Sequence, residues 1–586
     1  SQRYLNTLRV WDVSDPAKGA RALQAITVAE QFPTIAFSAD GRIAVLSNDV
    51  KLYDVASGRE TMKLSGHTLP ASSIAFSEDG RLIVTGSEDG SARLWNGQSG
   101  ELMATLVHLN GGADWLVVTP DGLFDGTPGA WNQILWRFSQ NIFDVTPVEV
   151  YFSDFFYPGL LAEIHAGNPP RAAKDVTQKD RRQPQVAVSL TEGQSGAARN
   201  VKVKLEVSEP APGAGARDLR LFRNGTLVKV WRGDLLKGQP RAAFEAQLPI
   251  VAGENRITAY AFNRDNVKSS DASVVVAGAE TLRRKGVAYV LAFGVNQYAN
   301  AQYNLRYAVA DATSFADEVR AQQMKLQQYE RVEIVPLVDR EATKANILLA
   351  LQRLSNAATT LPAGAPAALA KLQPTQPEDA VVLYFAGHGT AQGKRFYLVP
   401  HDLGYAGARD QLSPMAVQMI LAHSLSDLEL ESALETVDAG QLLFVLDACN
   451  SGQALEAEEK RRGPMNSSGL AQLAYEKGMY ILTAAQSYQV ALEAAQLGHG
   501  YLTFALVEEG LKKGMADRDL KDGQVVVREW FNYATERVPQ MQQRNLSSRL
   551  LLEEEVKKTS AGRTVQRPRV FFRRETETQP LVVAKP

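Results

Sequence analysis

The stretch "VVLYFAGHGT", residues 381–390, joins a run of apolar and aromatic residues to a histidine held between two glycines. β-Branched and aromatic residues of this kind favour a buried strand. In open α/β sheets, functional side chains gather where parallel strands end, and a glycine on each side permits close approach of backbone or ligand. The alternative is a histidine that only caps the sheet and faces water. A chemical role for His388 therefore depends on a partner at the end of another strand.

That partner is found in "LFVLDACNSG", residues 443–452, which ends the next predicted strand of the sheet. We expect His388 and Cys449 at the same carboxyl edge, on adjacent or near-adjacent strands. An imidazole beside a thiol can take its proton and later deliver one to a leaving amine, which makes a pair for acyl transfer. A buried, inert cysteine is the alternative. The charged Asp447 and the following "NSG" indicate instead that burial is ending here.

Both motifs resemble those of the caspase-like peptidases. "YFAGHG" is similar to the family's histidine motif and "DACNSG" to the cysteine motif of the bacterial and metacaspase branch, and the resemblance covers Gly286 to about Pro539. It implies that Cys449 is the nucleophile and that His388 is the general base and acid. It also implies that the backbone N–H groups of Gly389 and Cys449 hold the developing oxyanion. No side chain that would orient the histidine is evident.

The same resemblance implies a specificity pocket with two carboxylates, Asp447 and, in "LRYAVADA", Asp311. Two carboxylates in one pocket would select Arg or Lys, whereas caspases use arginine to bind aspartate. Ala310 stands where the metacaspase motif has Asn. The alternative for Asp311 is a solvated position in the first turns of a helix, which carboxylates favour.

The connection over residues 453–478 is polar, contains glycine and is too long for a tight turn, which predicts an exposed loop. Caspase relatives are commonly activated by cleavage in this connection. Here it carries Lys460, Arg461 and Arg462, and we expect self-cleavage at Arg462–Gly463, with Arg461–Arg462 as the second choice. The alternative is a solvated charge run that balances nearby glutamates.

The amino-terminal part of the chain repeats. An aromatic residue followed by Asp or Asn recurs at positions 11, 53 and 95, every 42 residues, and "IAFSADGR" returns as "IAFSEDGR". This period, with a Gly-His and a Trp-Asp signature, resembles the four-stranded blades of WD-repeat proteins, in which His67 would be structural. So few blades cannot close a ring of four to eight. We expect a partial propeller over residues 1–113, completed by blades upstream of Ser1 or by a partner molecule.

The other domain boundaries follow from changes in pattern. Residues 114–184 predict an aromatic-rich connector and a polar linker. Residues 185–280 hold short alternating runs separated by turn residues, which predicts an immunoglobulin-like β-sandwich. Residues 284–545 alternate strands and helices, which predicts an α/β caspase-like domain with a mainly parallel sheet. We expect the basic residues 546–586 to extend over the surface, and the fold class to be multidomain.

Composition excludes several classes of protein. The 586 residues are 45% hydrophobic and 22% charged with a net charge of −2, which disfavours a nucleic-acid partner. No apolar run approaches the roughly 18 residues of a membrane span. The single cysteine allows no intrachain disulfide, and we expect a cytoplasmic protein. His401 and His499 lack partners at metal-ligand spacing, so no cofactor is identified, and calcium enters by family resemblance alone.

These features predict a cysteine endopeptidase that cuts protein substrates after Arg or Lys. The WD-repeat and sandwich regions would regulate it or recruit partners. The alternative is a catalytically silent caspase-fold scaffold that only binds other proteins. Intact His388 and Cys449 argue against that alternative, because a decayed site tolerates their loss.

Overall fold

The computed structural model describes residues 6–13, 20–28, 34–46, 49–112, 114–139, 141, 143–191, 197–355, 357–392, 395–409, 412–450, 468–484, 493–494, 497–518, 521–550, 566–572 and 581–585. The chain separates into two units, Ser1–Lys179 and Asp180–Pro586. The second unit begins close to residue 185, where the sandwich is expected to start.

The first unit consists mainly of antiparallel strands. A two-stranded, a four-stranded and a six-stranded sheet follow one another along the chain. The strands are Asn6–Asp12 and Arg21–Val28; Thr34–Phe37, Arg42–Leu46, Val50–Asp54 and Glu60–Leu64; Ala71–Phe76, Leu82–Ser87, Ser91–Asn96, Leu102–Leu109, Asp114–Val118 and Phe124–Gly126. The last two strands lie in the expected connector. Residues 114–126 form a hairpin that continues the sheet, so a boundary at residue 114 cuts through it.

His67 is buried in the first unit with both ring nitrogens bonded. Its Nδ1 lies 2.9 Å from Asp89 Oδ2 and its Nε2 lies 2.8 Å from Thr85 Oγ1. The same hydroxyl accepts a 2.9 Å bond from Trp95 Nε1. A buried imidazole with two partners is satisfied within the sheet, which agrees with the structural role expected for His67.

Short elements and an aromatic cluster complete the first unit. The helices are Pro128–Trp131, Phe152–Phe155 and Leu160–His165, and the strands are Leu135–Arg137 and Val145–Pro147. The Phe152 ring stacks on the Phe156 ring at 4.5 Å between centroids. Aromatic burial of this kind supplies much of the core of so small a segment.

Two antiparallel sheets open the second unit and share one core. Gln185–Leu190, Asn200–Ser208 and Arg241–Pro249 form the first sheet, and Thr226–Asp234, Arg217–Arg223, Gly253–Phe262 and Ala272–Gly278 form the second. Side chains alternate between exposed and buried along "NVKVKLEVS" because successive strand residues point to opposite faces. Val201, Val203 and Leu205 from one sheet and Leu219 and Leu221 from the other lie in the same buried cluster.

The α/β domain, Val287–Ala584, is built on a mainly parallel sheet. Its strands lie in the order Arg331–Val338, Val287–Gly294, Ala380–Gln392, Gln441–Asn450, Tyr480–Thr483 and Arg569–Phe571. Neighbouring strands in this order are parallel, except that Arg569–Phe571 is antiparallel to Tyr480–Thr483. Arg395–Val399 and Leu425–Ser426 extend it as an antiparallel branch. The helices are Ala308–Leu326, Lys344–Leu354, Pro414–His423, Asp427–Leu434, Ser468–Lys477, Tyr501–Thr503 with the π-helical Phe504–Lys512, and Val527–Leu550.

The carboxy-terminal segment differs from the expected surface tail over residues 546–586. The strand Arg569–Phe571 pairs with Tyr480–Thr483 and becomes the edge of the main sheet. Val582–Ala584 pairs with the short strand Val525–Val526, and its residues Val583 and Ala584 are buried in the core of the domain. Two short apolar runs within a basic sequence thus pack into the domain, because they cover apolar surface on its sheet and helices.

The sandwich is joined to the α/β domain by buried charges. Arg220 Nη2 lies 2.6 Å from Glu476 Oε2, and both side chains are less than one-tenth exposed. Lys477 donates to the carbonyl oxygens of Leu227, Val437 and Glu435 at 2.8, 2.9 and 3.1 Å. Buried charges require such partners. The sandwich therefore holds the carboxyl end of the helix Ser468–Lys477, the first described element after residue 450.

Candidate functional site

His388 lies just beyond the point where its strand loses one of its two parallel neighbours. The neighbouring strand Val287–Gly294 pairs with Ala380–Gln392 only as far as Ala386. Beyond that point, Tyr298 and Tyr303 from the following segment contact the histidine, with ring centroids 4.9 and 6.2 Å from the imidazole centroid. His388 is only 3% exposed. The histidine therefore does not cap the sheet toward water.

The hydrogen bonds of His388 determine its tautomer. Its Nε2 lies 2.7 Å from the carbonyl oxygen of Tyr303, and its backbone N–H donates to Tyr298 Oη at 2.7 Å. A carbonyl oxygen only accepts, so Nε2 carries the proton and Nδ1 of a neutral ring is the acceptor. Within the described residues Nδ1 has no hydrogen-bond partner. The result is a buried, oriented imidazole whose basic nitrogen makes no hydrogen bond to any described residue.

Burial also controls the charge of this ring. It lowers the pKa of His388 to about 4, and the bond to the Tyr303 carbonyl opposes that effect only in part. The imidazole is therefore neutral at pH 7. A neutral ring can accept a proton, as a general base requires.

The glycines on either side of His388 are closely packed. A Cβ at Gly387 would lie 3.0 Å from the Tyr298 hydroxyl that accepts from the His388 backbone. A Cβ at Gly389 would lie 3.1 Å from the Phe396 ring and 3.2 Å from the Ala448 side chain. Protein side chains, rather than a ligand, make the close approach at these two positions.

Cys449 occupies the register position opposite His388. The strand Gln441–Asn450 runs parallel to Ala380–Gln392 as its direct neighbour, and the two residues are paired in the ladder. Gly389 is paired with Asn450 in the same way. The side chain of Cys449 is outside the described part of the structure. The backbone arrangement brings the two predicted dyad residues to one edge of the sheet.

Asp447 is buried and bonded to two hydroxyl groups. Thr503 Oγ1 donates to Asp447 Oδ2 at 2.6 Å, and Tyr384 Oη lies 3.3 Å from the same oxygen. Burial and then the negative charge of Asp311 raise the pKa of Asp447 well above its ordinary value. A negative charge nearby disfavours ionisation of a carboxyl group. Asp447 and Asp311 are close in space, as the resemblance implies.

Asp311 is buried in the first turn of its helix, so the solvated alternative is wrong. Its Oδ1 lies 2.7 Å from His499 Nδ1, and its Oδ2 accepts from the backbone N–H of Gly500 at 3.1 Å. The side chain of Asp311 is 5% exposed. His499 and Gly500, which lie 188 and 189 residues later in the sequence, therefore hold the Asp311 carboxylate in place.

Gly500 marks the position where the two carboxylates converge. A Cβ placed on it would lie 3.1 Å from Asp447 Oδ2 and 3.3 Å from Asp311 Oδ2. Both carboxylates therefore face the same small region beside this glycine. An arrangement of two carboxylates around one point suits a guanidinium or ammonium group.

Sequence reasoning missed several groups of this site. The Tyr303 carbonyl orients His388 as a backbone atom, which no residue type could reveal. Tyr384 lies in the quoted stretch itself, four residues before His388 and therefore on the same face of the strand. His499, which the sequence indicated only as a possible neighbour of the site, lies in a second "GHG" at residues 498–500.

The remaining predicted residues are those of the expected cleavage site and His401. Arg461 and Arg462, with the whole expected cleavage site, lie outside the described residues. His401 Nδ1 lies 2.6 Å from the carbonyl oxygen of Gln297. In the described ranges, no group of three or more His, Cys, Asp or Glu side chains could hold a metal ion, and no helix there is long and apolar enough to cross a membrane.

Comparison with known families finds two matches. Residues 287–551 match the Peptidase C14 family, described as the caspase domain. Residues 58–96 match the WD domain, G-beta repeat. The first match includes every predicted residue of the site, and the second includes the repeat that contains His67.

Curated relatives resemble only a small part of this chain. A WD repeat-containing protein of Synechocystis sp. is 39% identical over 16% of this chain and 27% of its own length. Apoptotic protease-activating factor 1 of Danio rerio is 29% identical over 15% of this chain and 8% of its own length. The chain thus spans about a quarter or less of these two relatives. A solved structure, the computationally designed Ika4 protein, is 21% identical over 21% of this chain and 78% of its own, with a TM-score of 0.15.

Proposed function

Since residues 287–551 of this chain are a caspase-family domain joined to a WD repeat, we propose that the chain is a cysteine endopeptidase that cuts after Arg or Lys. Cys449 is the nucleophile and His388 is the general base and acid. The WD-repeat region and the sandwich, which we take to be of immunoglobulin type, regulate the peptidase or recruit its substrates.

One observation carries the proposal. His388 is buried with its Nε2 bonded to the Tyr303 carbonyl and with no partner for Nδ1 among the described residues, and its register partner is Cys449. A buried polar atom without a partner is unfavourable by about 1–3 kcal/mol, and a substrate or a neighbouring thiol could supply the missing contact of this nitrogen. An unused basic nitrogen beside the paired cysteine is what a thiol peptidase requires.

The chemistry follows from the neutral state of His388. Its Nδ1 takes the thiol proton of Cys449 as the sulfur attacks the carbonyl carbon of the substrate. The backbone N–H groups of Gly389 and Cys449 hold the oxyanion, a contribution of about 3–4 kcal/mol for a well-placed donor. His388 then gives its proton to the leaving amine, and an acyl-enzyme remains on the sulfur. Water attacks this thioester while His388 accepts the water's proton; the C–S bond then breaks, His388 returns the proton to the departing sulfur, and the free thiol and a carboxylic acid result.

Substrate choice rests on the carboxylates around Gly500. An Arg or Lys side chain that reaches this point has Asp447 Oδ2 and Asp311 Oδ2 within reach. A substrate Asp would add a third negative group to the same site, which like-charge repulsion disfavours. Basic residues in the connection after residue 450 are then candidates for self-cleavage, at Arg462–Gly463 first.

The rival function is a caspase fold that only binds partners. It predicts no turnover and no need for His388 or Cys449. A peptide library incubated with wild type, Cys449→Ala and His388→Ala distinguishes the two functions. The proposed function requires cleavage after Arg or Lys by wild type alone, with all three proteins showing the same far-ultraviolet circular dichroism spectrum. Cleavage by either folded variant at the wild-type rate would contradict the dyad, and cleavage after Asp would contradict the pocket.

A further inference from the structure

We propose that His499 is the resident counter-ion of the basic-residue pocket, and that its imidazolium competes with a substrate's Arg or Lys side chain for Asp311. Binding of basic substrates would then strengthen as the pH rises and His499 loses its proton. The inference rests on the proposed function, because it assigns a role within the same pocket. It makes His499 a specificity-determining residue rather than a catalytic one.

The contact between His499 and Asp311 is placed to compete with a ligand. The two side chains meet at 2.7 Å, and the His499 side chain is 17% exposed, whereas the Asp311 side chain is 5% exposed. The imidazole therefore reaches solvent while the carboxylate does not. His499 covers one oxygen of Asp311, and the other oxygen faces the point beside Gly500. A basic side chain entering there meets a carboxylate whose charge is already offset when His499 is protonated.

The charges around His499 come from three elements. Asp311 on the helix Ala308–Leu326 raises the pKa of His499 by its hydrogen bond and charge, and burial opposes it. On the helical stretch that follows, Glu508 raises this pKa and Lys512 lowers it, and these two side chains pair at 2.5 Å. Asp447, on the strand Gln441–Asn450, faces the same point beside Gly500 as Asp311 does. The acidic neighbours outweigh Lys512.

The direction of the pH effect follows from these groups. As the pH falls, His499 gains a proton and Asp447, whose pKa is raised, also gains one. Both changes remove negative charge from the pocket, so affinity for a guanidinium falls. His388 titrates much lower, since burial lowers its pKa to about 4. Loss of substrate affinity and loss of the catalytic base therefore occur in different pH ranges.

The substitution His499→Gln tests this role. Glutamine retains a donor for Asp311 but carries no titratable charge. The matched control is His401→Gln, because His401 is a half-buried histidine bonded to the Gln297 carbonyl and not to either carboxylate of the pocket. KM and kcat for an Arg-ended peptide would be measured from pH 5 to 9 for wild type and both variants. Benzamidine, an arylamidinium probe, would be titrated calorimetrically in buffers of different ionisation enthalpy.

Wild type and His401→Gln should show a KM that rises about fivefold as the pH falls through the titration of His499. His499→Gln should show a smaller rise, with the kcat profile unchanged. Benzamidine binding should release more protons from wild type than from His499→Gln. His499→Asn provides a second substitution if the glutamine variant does not fold. Identical KM profiles and proton release in wild type and variant would overturn the inference while Arg cleavage still stood. Absence of benzamidine binding together with cleavage after Asp would refute the proposed function and the inference with it.

Discussion

Replacing Asp447 by asparagine separates the recognition role of this carboxylate from its role in the fold. Asparagine retains an oxygen that can accept from Thr503 Oγ1, which lies 2.6 Å from Asp447 Oδ2. It removes the negative charge that a substrate Arg would contact. A hydrogen bond to a charged group contributes about 1.5–3 kcal/mol, so kcat/KM for an Arg-ended peptide should fall roughly 10- to 150-fold.

The stability of Asp447→Asn should move in the opposite direction. Burial and Asp311 hold the pKa of Asp447 above its unfolded value. Between those two pKa values the native state binds more protons than the unfolded chain, so the free energy of unfolding of wild type falls as the pH rises. The free energy of unfolding of the asparagine variant should not fall in this way, because asparagine has no proton to lose. Above that window it should be at least as stable as wild type.

The assay is urea unfolding at several pH values together with kcat/KM for peptides ending in Arg and in Asp. Asp379→Asn is the matched control, because Asp379 is a buried carboxylate with a raised pKa at the amino end of the histidine strand. Its carboxylate accepts from the backbone N–H groups of Val287 and Gln376, so the control should lose stability and keep its preference for Arg. Undiminished Arg cleavage by folded Asp447→Asn would refute this account of the pocket.

Gly500→Ala should raise KM for Arg peptides more than it lowers kcat, because a methyl group would occupy the space between the two carboxylates. The variant should fold, since alanine readily adopts the backbone φ of −64° found at this position. An unchanged KM would show that the basic side chain of the substrate binds elsewhere. Mass spectrometry of purified wild type should find new termini near Arg461–Gly463 that Cys449→Ala lacks, and full activity of uncut protein would exclude self-cleavage as the activating step. Arg220→Met should lower the free energy of unfolding by about 3–5 kcal/mol, since it leaves Glu476 buried without its partner. Adding Glu476→Leu should recover most of that loss in denaturant titrations, and an additive further loss would contradict a specific pair.

The placement of His388 and Cys449 on neighbouring strands could be predicted because each follows a continuous apolar run. Short apolar runs that are rich in β-branched and aromatic residues favour buried strands of a parallel sheet. The residue types at their ends then indicated the chemistry.

The pocket around Gly500 could be predicted only in part. His499 and Asp311 are 188 residues apart in the sequence, and no local pattern links them. The terminal runs "RVF" and "LVVA" are too short to show a period, so nothing in them indicated pairing with the sheet or burial. Long-range packing determines all of these positions.

The most direct test of the central claim is covalent capture of Cys449 by a peptidyl chloromethyl ketone that ends in Arg. The proposed function predicts one adduct per wild-type chain, mapped to Cys449 by tandem mass spectrometry. It also predicts slow labelling of His388→Ala and little labelling by the matched reagent that ends in Asp. Equal labelling of wild type and His388→Ala, or capture by the Asp reagent in preference to the Arg reagent, would contradict the proposed function.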